Sequence, residues 1–253
     1  MLILLATLIF FTRLPFWRLI DVPAEDFKRV VPRWPLVGWL SGGLMALTLW
    51  LSSHIFPITV AWILALLVRM VLTGCLHEDG LADFIDGFGG GTSREKTLAI
   101  MKDSHIGTFG VLGLILYISL LTATLFSMPP LLACLAIIAS DPFAKMLSAG
   151  LITLPYARHE EEAKAKVVYR SLGLKAIVGL AFQGLLPVAV VSDFSPYNFF
   201  TFSGFPLLIF LLPCLVMFFL YHYIRKRLQG YTGDCCGAVC LLVELTTLLA
   251  ICM

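Results

Sequence analysis

Residues 57–87 read PITVAWILALLVRMVLTGCLHEDGLADFIDG. The first part, Pro57 to Leu76, carries one charge, Arg69, and has the length one helix needs to cross a bilayer. The second part, His77 to Gly87, abruptly concentrates His77, Glu78, Asp79, Asp83 and Asp86. Read as helix, Asp79, Asp83 and Asp86 fall at i, i+4 and i+7 and share one face. Like charges so placed repel and weaken a helix, so a cation is the expected compensation. Carboxylates at a membrane surface suit Mg²⁺, which takes oxygen ligands and commonly bridges to substrate phosphates. The pattern points to phosphoryl transfer on an amphipathic substrate. A solvated acidic loop would need neither the helical spacing nor the flanking Leu81, Ala82, Phe84 and Ile85.

Outward from this stretch the chain stays apolar. It is 59% hydrophobic and only 13% charged, about half the charge of an ordinary soluble domain. Apolar runs of spanning length lie near 34–53, 57–76, 107–127, 130–153, 174–193, 203–223 and 235–253. The expected fold is an all-α integral membrane protein, a single polytopic domain over 1–253 with about seven transmembrane helices. Residues 1–11 are apolar but too short to cross, and predict a short helix inserted partway. They lack a basic leader and a cleavage site, so no signal peptide is expected. No linker, repeat or second domain is evident.

Charge orients the bundle. The long polar connections 13–33, 77–106, 154–173 and 224–234 hold 15 of the 18 basic residues; the short ones near 53–57, 127–130 and 193–203 hold none. Basic loops mark the cytoplasmic side. All four long loops, and with them the active site, are expected on the cytoplasmic face of the plasma (inner) membrane. Nothing in this distribution calls for nucleic acid. The seven cysteines show no CxxC spacing and read as small packing residues.

Other polar groups add detail. After the Gly87–Gly91 stop, Thr92 and Glu95 match a capping box that starts a short helix toward Lys102. Asp103, Ser104 and His105 then precede the next span, where Gly107 and Gly110 allow close approach. Asp103 could complete a metal shell, act as general base, or simply mark a polar boundary. Gly230-Tyr231-Thr232-Gly233-Asp234 reads equally as a turn with Asp234 capping the last helix and as a phosphate contact through backbone N–H groups and nearby basic residues. Asp141 and Glu244 lie inside apolar runs, where ionisable groups are costly. Asp141 has Lys145 at i+4, with Pro142 starting or kinking a helix between them. Glu244 reads as facing the bundle interior, toward a basic residue of another span. Glu78 points about 100° from Asp79, and His77 reads as a boundary residue.

These motifs resemble, in order and over nearly the whole chain, those of the cobalamin synthase family, the adenosylcobinamide-GDP ribazoletransferases. His77 to Gly87 is similar to the family signature. Phe11-Thr12-Arg13-Leu14-Pro15, Trp34-Pro35-Leu36-Val37-Gly38, Met101 to Gly110, Pro155-Tyr156-Ala157-Arg158, Thr232 to Ala238 and Glu244 resemble its other motifs. His105, Asp141-Pro142 and His159 to Glu162 depart from its pattern. The resemblance implies transfer of the adenosylcobinamide phosphate group from adenosylcobinamide-GDP to α-ribazole or α-ribazole 5′-phosphate, with GMP leaving. It implies Mg²⁺ held by Asp79, Asp83 and Asp86, with Asp103 as further ligand or base. Asp86 and Asp103 are then the catalytic residues, and Arg13, Arg158, Ser104, Gly233 and Asp234 the substrate or phosphate contacts. The expected partners are these substrates and the lipid bilayer, with a homo-oligomer or association with other cobalamin-assembly enzymes open. Two other readings fit less well. A CDP-alcohol phosphotransferase requires Ala-Arg after Asp-Gly, and a cation transporter requires acidic groups repeated at mid-membrane depth in related halves.

Overall fold

The computed structural model describes residues 2–158, 168–194 and 206–253. Helices dominate. Among the described residues there is no β-strand, only one isolated bridge between Tyr156 and Tyr231. The order is α1 (Leu2–Phe11), α2 (Ala24–Phe27), α3 (Trp34–Ser53), α4 (Ile58–Thr73), α5 (Leu76–Gly90), α6 (Arg94–Lys102), α7 (Thr108–Phe126), α8 (Pro130–Ser148), α9 (Leu174–Phe194), α10 (Pro206–Leu228) and α11 (Gly233–Cys252).

Five helical stretches among the described residues are long and apolar enough to cross a membrane. These are Val31–Ser53, Thr108–Phe126, Pro130–Thr153, Ile209–Leu228 and Gly233–Cys252. α8 and α11 are the most buried of the five, and α10 the least. α11 packs on α5, α8 and α10, while α3 packs on α4 and α8. Large apolar side chains such as Ile63, Leu67 and Val71 of α4, and Leu112, Ile115 and Leu116 of α7, face outward. That suits lipid rather than water.

The stretch 57–76 is not one straight span. α4 stops at Thr73, and Gly74 and Cys75 take left-handed φ of 64° and 57°. Gly74 adopts this without the Cβ penalty, and a side chain there would also collide with the Arg13 guanidinium. The chain then bends by 87° into α5. α4 is therefore 16 residues, about 24 Å at ~1.5 Å per residue. The apolar part of α9, Leu174–Ala189, is likewise below full crossing length. Residues 159–167 and 195–205 lie outside the described set, and with them the departure at His159 to Glu162 and most of the 193–203 connection.

Charge inside the apolar layer is paired. Arg69 of α4 donates through Nη1 to both Glu244 oxygens of α11 at 2.8 and 3.0 Å. Its Nη2 lies 3.5 Å from Glu78 of α5 and donates to the Tyr117 hydroxyl of α7 at 3.2 Å. Glu244 thus finds the basic partner expected for it. On α8, Lys145 pairs with Asp141, which also accepts from Ser41 of α3. Pro142 lies inside α8, not at its start. Two caps differ from expectation. Ser93, not Thr92, caps α6 by accepting from the Lys96 N–H, and Thr232, not Asp234, caps α11 by accepting from the Cys235 N–H.

Candidate active site

α5 runs along α11 at close range. A side chain at Gly80 would lie 3.1 Å from the Asp234 carbonyl oxygen, and one at Gly237 would lie 3.4 Å from His77. This crossing brings Asp79 and Asp234 to a common cleft. Lys145 of α8 reaches the same cleft. Arg158 is delivered by backbone pairing. The Ala157 N–H donates to the Tyr231 carbonyl at 2.8 Å, and the Tyr231 N–H to the Pro155 carbonyl at 2.9 Å. These bonds tie the chain after α8 to the turn before α11. Arg158 then donates from Nη2 to the Leu98 carbonyl at 3.1 Å, while its buried Nε has no partner among the described residues. An orphaned guanidinium N–H in a cleft wall suits an anionic ligand.

Five aromatic side chains share the lining: Phe10 and Phe11 of α1, Trp34 of α3, Tyr156 and Tyr169, with Val37, Ser148 and Cys236 among the smaller residues between the charged groups. Burial raises the pKa of the Tyr156 and Tyr169 phenols, so both remain protonated donors near neutral pH. A second, more open pocket shares Tyr156 and Arg158 with this cleft. Arg94, Glu95, Leu98 and Lys102 of α6 complete its wall.

The residues singled out in the sequence fall into three groups. Asp79, Arg158, Gly233 and Asp234 line the cleft together. Asp83 is half-buried one turn on from Asp79. Asp86 is buried under the start of α7, where its carboxylate accepts the Gly107 N–H at 2.7 Å and the Gly110 N–H at 2.8 Å. A side chain at either glycine would collide with that carboxylate. The close approach expected of these glycines is thus an approach to Asp86. Arg13, Asp103 and Ser104 are exposed and are not among the residues lining the cleft. Asp103 accepts from the His105 backbone N–H at 3.0 Å and contacts its Nδ1 at 2.7 Å. Those contacts hold its carboxyl below the usual carboxylate range.

Among the described residues, no three His, Cys, Asp or Glu side chains are grouped to hold a metal ion by themselves. Mg²⁺ seldom needs such a cage. One or two carboxylates suffice when substrate phosphates complete its shell, and Asp79 with Asp234 fits that donor set.

Sequence reasoning missed Lys145, His77 and the aromatic wall as parts of one site. Trp34 and Tyr156 sat inside quoted motifs, so a signal existed for them. Tyr169 carried none, because it lies in an irregular segment.

Comparisons with known proteins bear on the family. A family model described as CobS, cobalamin-5-phosphate synthase, matches residues 3–252. An adenosylcobinamide-GDP ribazoletransferase of Leptospira interrogans is 35% identical over 241 residues, covering 92% of this chain and 88% of that one. One from Shewanella sp. (strain ANA-3) is 34% identical over 233 residues, covering 90% and 85%. No solved structure matches the chain. With ordered motifs, a membrane-type helical bundle and near-complete family coverage in agreement, the chain belongs to the CobS family of cobalamin-5-phosphate synthases.

Proposed function

We propose that this protein is an adenosylcobinamide-GDP ribazoletransferase. A hydroxyl of α-ribazole, or of its 5′-phosphate, attacks the phosphorus that bears the cobinamide. A new P–O bond forms, the P–O bond to GMP breaks, and the hydroxyl proton leaves with the attack. The observation that carries this reading is the convergence of Asp79, Asp234, Arg158 and Lys145 on one aromatic-walled cleft. Phosphoryl transfer draws most of its catalysis from positioning and charge, and these residues supply both. Arg158 offers a fixed, unpaired N–H to a phosphate oxygen. Lys145, backed by Asp141, adds positive charge from the opposite helix. Asp79 and Asp234, with Asp83 one turn away, would hold Mg²⁺, which neutralises pyrophosphate charge when bound. Asp86 acts at one remove, by fixing α7 to α5. Asp103 and Ser104 lie on the exposed segment after α6, outside the cleft lining, and Arg13 flanks the bend that begins α5.

The same reading gives the membrane arrangement. α3, α4, α7, α8, α9, α10 and α11 make seven crossings, α5 and α6 lie along the cytoplasmic face, and α1 enters partway. A ~24 Å helix such as α4 is accommodated by local thinning of the bilayer. The basic loops support the cytoplasmic assignment and with it an inner-membrane location. Reporter fusions after Gly89 and Gln229 should read cytoplasmic, and one after Met128 external.

The deciding experiment is GMP release by the detergent-purified protein from adenosylcobinamide-GDP, with α-ribazole and its 5′-phosphate supplied in turn. Release that depends on one of these acceptors, and on Mg²⁺ or Mn²⁺, is expected. CMP release from a CDP-alcohol instead would replace the reading. Undiminished turnover in excess EDTA would remove the metal from it.

A further inference from the structure

We infer that the aromatic wall of the cleft seats one flat, largely apolar heteroaromatic ring that offers a ring nitrogen to Trp34: a benzimidazole-type nucleoside base, not guanine. The inference rests on the reading above that the acceptor is such a nucleoside, and assigns it a place. The wall is a connected set of rings. Phe11 and Trp34 lie 5.6 Å apart at 76°, Trp34 and Tyr169 5.3 Å apart at 83°, and Phe10 and Tyr169 6.1 Å apart at 72°. His77 stacks on Phe11 at 6.1 Å and 16°. Edge-to-face neighbours hold one another rigidly, and aromatic walls of this kind bind bases by stacking.

One polar atom in this wall is unexplained. Trp34 is 4% exposed, and its Nε1 has no hydrogen-bond partner among the described residues. An indole N–H can only donate, and a buried donor without an acceptor is destabilising unless a ligand supplies one. By contrast Trp39, one turn further along α3, donates its Nε1–H to the Gln183 carbonyl at 3.1 Å. The orphan is therefore particular to the indole that lines the cleft. Next to it, the side chains of Phe10, Phe11 and Val37 carry no polar atom. A base with one ring-nitrogen acceptor and an apolar carbocycle satisfies Trp34 and leaves nothing of its own unmet. Guanine would bring N–H donors against Phe10, Phe11 and Val37, which cannot accept them, leaving only Tyr169 and His77 of this wall to do so. The wall also abuts the charged groups: His77 is two residues from Asp79, and Tyr156 two from Arg158. A ribose on the seated ring would extend toward them.

The test is equilibrium dialysis of the full-length protein in detergent, with EDTA and without adenosylcobinamide-GDP, so that no turnover contributes. One arm carries α-ribazole, the other GMP. Wild type is expected to retain α-ribazole. Trp34→Phe, which keeps a ring and removes the N–H, should weaken its binding roughly 3- to 10-fold. Trp34→Ala, which also removes the stacking face, should weaken it by a further ~10-fold. Trp39→Phe should leave it unchanged, and neither Trp34 variant should alter GMP binding. Phe11→Leu gives a second route should Trp34 variants unfold, and should also weaken α-ribazole. Equal α-ribazole affinity in wild type and Trp34→Phe, or no retention by wild type, overturns the inference. GMP binding that depends on Trp34 would give the seat to guanine and overturn it equally. Trp34-dependent α-ribazole binding without any GMP release in the full assay would sink the proposed reaction and leave the seat standing. GMP release with unchanged binding in Trp34→Phe would do the reverse.

Discussion

Asp79 and Asp86 lie on the same helix, on the same nominal face, and their surroundings differ in kind. Asp79 is exposed at the start of α5 and lines the cleft beside Asp234. Asp86 is buried two turns later, and its oxygens take the backbone N–H groups of Gly107 and Gly110. One carboxylate belongs to the cleft wall; the other holds the start of α7 through two backbone N–H groups. Helical spacing puts residues on a face, but the elements packed against that face decide what each residue can do. A count of carboxylates is therefore not a count of metal ligands.

The sharpest way to break this comparison is to neutralise each member. Asp79→Asn keeps the shape and removes the charge at the cleft. GMP release should fall by roughly 10²–10³-fold or more, in keeping with loss of a charge aimed at the reacting group, while thermal unfolding in detergent stays at the wild-type midpoint. Near-normal turnover would move the chemistry away from the start of α5.

Arg69 tests what holds that start of α5 in place. Its guanidinium joins Glu78, the neighbour of Asp79, to Glu244 of α11 and Tyr117 of α7. Arg69→Met leaves two buried carboxylates facing each other, and breaking such a pair typically costs ~3–5 kcal/mol. A marked drop in thermal midpoint and folded yield is expected. An unchanged midpoint would mean that the network contributes little to the α4–α5 bend.

Asp86→Ala should act on stability first. It leaves the buried Gly110 N–H and the half-buried Gly107 N–H without their charged acceptor, a loss of ~1–3 kcal/mol, read as a lower unfolding midpoint. The folded fraction should keep kcat within about tenfold of wild type. A near-complete loss of kcat in stably folded protein would instead put Asp86 at the reacting phosphate and erase the distinction from Asp79.

The smallest effect is expected at Asp103. A general base contributes ~10²–10⁴-fold, whereas a carboxylate held mainly by His105 contributes far less. Asp103→Asn should change kcat by no more than a few-fold. Its depressed pKa keeps Asp103 ionised below the ordinary carboxylate range, so its contact with His105 should be lost only as pH falls through that depressed value. A loss in the general-base range would bring the loop after α6 into the cleft during turnover.

By itself the sequence determined the helical membrane character, because long apolar runs with almost no charge have no other stable form in lipid. It also placed Asp79, Asp83 and Asp86 on one helix, paired Asp141 with Lys145, and turned Glu244 inward, since these follow from helical periodicity and from the cost of isolated charge. Its ordered motifs were enough to indicate the family. The tertiary structure decided which of those groups meet. Arg69 and Glu244 are 175 residues apart, and Tyr169 reaches Trp34 from an irregular segment with no period to read. The bend at Gly74 and Cys75 swings α5 out of line with α4, which hands Asp79 to the cleft and Asp86 to α7. Local spacing fixes an angle about a single helix axis. The direction of that axis, and what packs against it, are fixed by contacts that close over the whole length of the chain.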